Sequence, residues 1–167
     1  MIGDKGAASL AKSVSGHPNL THLNLASNNI HDRGSKALAY ATMLSKTLKS
    51  LCLFGNQIKD SIFDIAEALQ YSSSLKSLDL WCNNIGKFGA AILGKTLRQN
   101  PIISLKELCI GNNGIEDEGI VSLAKGIAEN HCIAVLVQIL SLSLFLSLES
   151  LSNLSNFYPY IHPHSSF

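Results

Sequence analysis

One spaced pattern, Leu-x-x-Leu-x-Leu/Ile-x-x-Asn-x-Ile, occurs four times in this chain and limits what it can fold into. The first copy is Leu20, Leu23, Leu25, Asn28 and Ile30; the second is Leu48, Leu51, Leu53, Asn56 and Ile58. The third is Leu75, Leu78, Leu80, Asn83 and Ile85; the fourth is Leu105, Leu108, Ile110, Asn113 and Ile115. Successive copies start 28, 27 and 30 residues apart. Self-similarity at a period between 20 and 50 residues marks a solenoid, in which stacked units share the core that no single unit can close.

Each position has a physical reading. In Leu-x-Leu the side chains alternate across a short strand, leucines inward and the x residues outward. The Asn stands where the chain leaves the strand, and its amide can bond backbone groups of neighbouring repeats. The Ile then re-enters the core. Asp32, Asp60 and Asp117 follow two residues after an Ile, a position suited to capping the next helix. Gly34, Gly89 and Gly119 follow at four, with Ser61 a near equivalent, and a small residue there is expected to let the helix start approach the sheet. Ala/Leu-rich helices are expected over 35–45, 62–71, 90–98 and 120–129, with pairs such as Leu38–Ala41 and Ala66–Leu69 at helical spacing. Asn100-Pro101 is expected to close the third.

Ile2, Asp4, Gly6 and Leu10 match Ile30, Asp32, Gly34 and Leu38 at a constant offset of 28, so the chain opens in mid-repeat. Either residues 7–14 serve as a makeshift cap or the sequence is part of a longer array.

The turn Asn-x-Ile, followed by Gly and then Leu-Ala, resembles the ribonuclease-inhibitor-like subfamily of leucine-rich repeats. That subfamily includes ribonuclease inhibitor, the repeat regions of NOD-like receptors and Ran GTPase-activating protein. The resemblance covers residues 2–132 and implies an α/β leucine-rich-repeat solenoid, a curved horseshoe with parallel strands on the concave face and helices on the convex face. It says little about function, because one scaffold serves many partners.

The pattern fails after the fourth unit. Ile133 and Leu136 fit a fifth strand, but Gln138 occupies the next inward position and no Asn-x-Ile follows. We therefore expect a repeat domain over 1–132 and a divergent Leu/Ser-rich segment over 133–167. Leu140, Leu142, Leu144, Leu146 and Leu148 alternate at period two, which fits a degenerate capping strand. A poorly packed tail fits as well. A membrane anchor over 132–148 fits less, since serines interrupt the run and no basic flank follows.

Composition narrows the partners. With 13 basic against 12 acidic residues and a net charge of +1, neither a nucleic-acid groove nor an anionic-membrane patch is expected. The first residues hold no signal-peptide core, which points to the cytoplasm. The four cysteines, Cys52, Cys82, Cys109 and Cys132, form no CxxC pair and are expected to be free thiols. The sequons at Asn19 and Asn153 are read as chance matches.

The repeat register sorts outward residues into columns. The first is His22, Ser50, Ser77 and Glu107; the second is Asn24, Cys52, Asp79 and Cys109; the third is Ala26, Phe54, Trp81 and Gly111. Phe54 and Trp81 are thus neighbours beside Asp79, and exposed aromatics commonly anchor protein interfaces. The opposing reading is that they merely cover each other. A fourth column, Thr21, Lys49, Lys76 and Lys106, suits either an acidic partner or a solvated edge. Cys52–Asp79–Cys109 is too open for a metal, and His162-x-His164 is weaker still. No G-x-S-x-G, H-E-x-x-H or phosphate-loop motif occurs, so no catalysis, cofactor or metal is expected. The reading is a protein-binding module with Phe54, Trp81, Asp79, Glu107, Asn24 and His22 facing the partner. The alternatives are a GTPase regulator of the Ran GTPase-activating type and a non-functional repeat fragment.

Overall fold

The computed structural model describes residues 1–100 and 103–130. The expectations for residues 133–167 lie outside it. Helix α1 (Gly3–Val14) leads, followed by β1 (His22–Asn24), α2 (Asp32–Leu44), β2 (Ser50–Cys52), α3 (Ile62–Tyr71), β3 (Ser77–Asp79), α4 (Gly86–Gln99), β4 (Glu107–Cys109) and α5 (Glu116–Ala128). The strands form one parallel sheet in the order β1-β2-β3-β4. Each helix packs on the next along the other side.

The core is the repeated pattern itself. Leu48, Leu53, Leu75, Leu78, Leu80, Leu105, Leu108 and Ile110 are fully or almost fully buried, together with Ile30, Ile58 and Ile85 from the turns. Burial of each such side chain stabilises the fold by about 2 kcal/mol. Each helix adds one apolar stripe; in α4 it consists of Ala90, Leu93 and Leu97, at spacings of three and four residues. The leading partial repeat is less covered. Ile2 and Leu10 are 37% and 39% exposed, whereas Ile30 and Leu38 are at 0% and 1%.

Asparagine closes the seams between repeats as its position suggests. Asn83 Nδ2 donates to Leu53 O of the preceding repeat and to Leu80 O and Trp81 O of its own, while its Oδ1 accepts the Ile58 N–H at 3.0 Å. Asn56 and Asn113 do the same one repeat earlier and later. A hydroxyl ladder runs at the entries to β2, β3 and β4: Thr47 Oγ1 donates to Leu20 O, Ser74 Oγ to Ser45 O, and Ser104 Oγ to Leu75 O.

The aspartates act differently from the sequence expectation. None of the described helices carries a side-chain cap from its own N-cap residue. Asp32 is instead the first residue of α2, and its Oδ1 accepts the Lys59 and Ser61 N–H groups that lead into α3. Asp4 likewise accepts the N–H groups of His31 and Gly34 at the start of α2. The carboxylate thus caps the helix of the following repeat, because adjacent helix starts lie side by side. The third copy has Lys87 at this position, which pairs with Glu116 and Glu118 of the next at 3.3 and 3.2 Å.

Helix boundaries also differ. Helix α3 matches the expected span, but α2, α4 and α5 start three or four residues earlier, because the turn after each Ile is already helical. The small residues at the helix starts serve helix–helix contact rather than the sheet. A Cβ on Gly34 would lie 2.7 Å from Asp4 Oδ1, and one on Gly119 would lie 2.9 Å from Lys87 Cα. The tightest approach joins α4 to α5, where a Cβ at Gly126 would overlap the Gly94 backbone and one at Gly94 would overlap that of Ser122.

Candidate functional site

The outward columns on the sheet follow the expected register. His22 pairs with Ser50, Ser50 with Ser77, and Ser77 with Glu107; Asn24 pairs with Cys52, Cys52 with Asp79, and Asp79 with Cys109. Main-chain bonds extend the ladder past the strands. Ser27 N donates to Phe54 O, Gly55 N to Trp81 O and Cys82 N to Gly111 O, at 2.8, 2.9 and 3.0 Å. Phe54 therefore stands between Ala26 and Trp81. It is 38% exposed, Trp81 is half-buried, and the aromatic pair ends at the buried Gly111, which has no side chain to add.

Beyond these residues the chain turns through a left-handed residue in every repeat: Ser27, Gly55, Cys82 and Asn112 have φ of 54°, 64°, 53° and 51°. The columns are held by their own polar side chains. Asp79 Oδ1 accepts the Trp81 N–H at 3.0 Å, and Asn24 Oδ1 accepts the Ala26 N–H at 2.9 Å. These Asx turns fix the backbone that carries the third column. The other Asp79 oxygen accepts the Cys52 S–H at 3.4 Å. His22 and Glu107, at opposite ends of the first column, are both exposed. The six residues singled out from sequence thus share one face, with Phe54, Trp81 and Asp79 at its centre.

Burial pushes the Cys109 thiol up to about 11, helped by the charges of Asp79 and Glu107. Burial also raises Cys52, against a hydrogen bond from the Phe54 backbone, with Asp79 adding to the rise. At neutral pH both are protonated, so neither supplies the thiolate that nucleophilic or metal chemistry needs. Among the described residues no cluster of His, Cys, Asp and Glu could hold a metal ion. No described helix is long and apolar enough to cross a membrane. His162, His164 and the segment 132–148 fall outside the described residues.

One feature escaped the sequence reading. A shallow depression of about 570 Å³ lies just beyond the strand ends, lined by Cys82, Asn83, Asn84, Gly86, Asn112, Asn113 and Gly114. Asn112 Nδ2 donates to Cys82 Sγ at its edge. Its only sequence signal is the run of amide and glycine residues after the last two strands.

A family profile described as "Leucine Rich repeat" matches residues 16–39, 71–91 and 103–124. The mouse proteins "NACHT, LRR and PYD domains-containing protein 4C" and "protein 14" of the same series are 32% and 31% identical over 133 and 135 residues. The repeats are leucine-rich repeats of the NOD-like receptor type. These matches cover 77% and 78% of this chain but only 13% of each relative, so the chain spans a small part of their length. Among solved structures, the leucine-rich-repeat fold is shared with one titled "Leiomodin-1 Actin-Binding Site 2 (ABS2)", at a TM-score of 0.76 and 22% identity over 87% of this chain and 85% of that one. It is shared too with the Caenorhabditis elegans tropomodulin C-terminal domain, at a TM-score of 0.70 and 17% identity, covering 86% and 89%. Ribonuclease-inhibitor-like character is consistent with these matches.

Proposed function

We propose that this leucine-rich-repeat chain is a non-catalytic module that binds a protein partner on its concave face. Phe54 and Trp81 are its anchors, Asp79 and Glu107 its acidic contacts, and His22 and Asn24 its far end. The observation that carries this reading is the aromatic pair on the outer face of a parallel sheet. Phe54 keeps 38% of its surface in water, where an apolar side chain gains nothing from folding. Large aromatics with a polar surround are the side chains that most often dominate an interface. Leiomodin-1, whose title names actin binding, is a case of a similar fold serving a protein ligand. We place the module in the cytoplasm, in keeping with the NOD-like-receptor character of its repeats.

The test is capture of partners from cell extract by the full chain, compared with Phe54→Ala/Trp81→Ala. Loss of specific captured proteins in the double variant, with an unchanged melting curve, supports the assignment. Identical capture by both proteins refutes it. Phosphate release from added small GTPases, unchanged by the chain, separates this reading from a GTPase regulator.

A further inference from the structure

The rim where the chain enters the sheet carries a second pattern. Leu48 and Leu51 are both buried, three residues apart, so Lys49 and Ser50 between them both face away from the core. The next repeat repeats this with Lys76 and Ser77 between Leu75 and Leu78. The backbone holds the rungs in line: Lys49 N and Ser50 N both donate to Thr21 O, Lys76 N and Ser77 N to Lys49 O, and Lys106 N and Glu107 N to Lys76 O. Neighbouring rungs of a sheet are about 4.8 Å apart, so the ammonium stems stack as like charges, which disfavours the arrangement unless something neutralises it.

Three other cations of the protein are neutralised between repeats. Lys36 meets Asp64 at 2.7 Å, Lys87 meets Glu116 and Glu118, and Arg98 meets Glu129 at 3.7 Å. Among the described residues, neither Lys49 nor Lys76 has such a carboxylate. The adjoining hydroxyls are uncommitted as well. Ser50 and Ser77 are half-buried on the sheet and their hydroxyls have no hydrogen-bond partner among the described residues, whereas those of Thr47, Ser74 and Ser104 all donate to backbone carbonyls.

We propose that Lys49 and Lys76, with Ser50 and Ser77 beside them, bind an acidic extended segment of a protein partner laid across the strands. Each rung offers a carboxylate one ammonium and one hydroxyl donor. A nucleic acid fits less well: the chain's charges nearly cancel, and two or three lysines neutralise too few phosphates for useful affinity. The proposal rests on the concave face being a protein-binding surface and names the chemistry of part of its partner.

The test is fluorescence anisotropy of a labelled hexaglutamate peptide with the full chain at low salt. Binding is expected to weaken about tenfold in Lys49→Gln/Lys76→Gln, and less in Ser50→Ala/Ser77→Ala. Lys36→Gln should leave it unchanged. On the unaltered protein, the peptide should also protect Lys49 and Lys76 from acetylation, a measurement that needs no variant. Absence of binding, equal weakening by Lys36→Gln, or tighter binding of an oligothymidine of equal charge would overturn the proposal. If hexaglutamate fails while Phe54→Ala/Trp81→Ala still abolishes partner capture, this inference falls and the aromatic site stands.

Discussion

Gly126 of α5 lies directly on the backbone of Gly94 in α4, with no room for a Cβ on either. Glycine costs a helix up to about 1 kcal/mol relative to alanine, so two of them facing each other reflect packing rather than helix formation.

Gly126→Ala is therefore expected to destabilise the protein by about 2 kcal/mol, despite the better helix propensity of alanine, because the helices must separate. Urea unfolding checks it. Gly16, which has nothing within 4 Å of an added Cβ, is the control, and Gly16→Ala should change stability far less.

The asparagine seams should not be equal. Asn83→Ala orphans the buried Ile58 N–H and removes one of two donors from each of the Leu53, Leu80 and Trp81 carbonyls, which keep Asn56, Asn113 and the Gly55 N–H, and about 2 kcal/mol of stability should be lost. Asn28 is only half-buried and donates to Ala26 O alone while accepting from Ile2 N, so Asn28→Ala should cost about 1 kcal/mol. Thermal melts of the two variants, compared side by side, measure the difference.

Asp32 gives a pH signature. Burial would raise its carboxyl, but the N–H groups of Ser61 and Lys59 outweigh that and hold it below its ordinary value of 3.8. A lowered folded-state value means that its stabilisation is fully present above 3.8 and disappears as pH falls through the folded value. Asp32→Ala should thus lose about 1 kcal/mol at pH 7, the usual worth of a helix cap, and the gap to the unaltered protein should close in strong acid. Urea titrations at pH 7 and in the acid range follow it.

Cys109 should be slow to react. With its thiol raised from 9.0 to about 11, the thiolate fraction near pH 8 is about a hundredfold below that of an ordinary cysteine. Peptide-resolved iodoacetamide labelling should show Cys109 lagging in the folded protein and reacting normally in urea. Equal rates in both would contradict the burial that raises it.

The strand register was legible because leucine at period two is both the pattern and its cause: burying Leu51, Leu78 and Leu108 forces Ser50, Cys52, Ser77, Asp79, Glu107 and Cys109 outward. The neighbourhood of Phe54 and Trp81 followed from that register alone. The capping of one repeat's helix by another's aspartate did not, since spacing along the chain shows which groups are close in sequence and not which helix starts lie abreast. The same blindness hid the Cys52–Asp79 hydrogen bond and the use of the Asp79 side chain in the turn before Trp81. The contact of Gly94 with Gly126 gave no signal either, because a glycine within a helical pattern does not show which neighbouring helix it meets.

At the first two junctions the traffic between repeats runs both ways. Asp4 and Asp32 give acceptors forward to the helix that follows, and Asn28 and Asn56 reach back to the turn that precedes them. Each unit is thus a lender to its successor at one end and a borrower from it at the other. A cut placed anywhere inside this exchange strands polar groups on both sides, whereas gain or loss of one whole period leaves each loan intact. Array length can then drift in steps of about 28 residues while the chemistry of the seams stays the same.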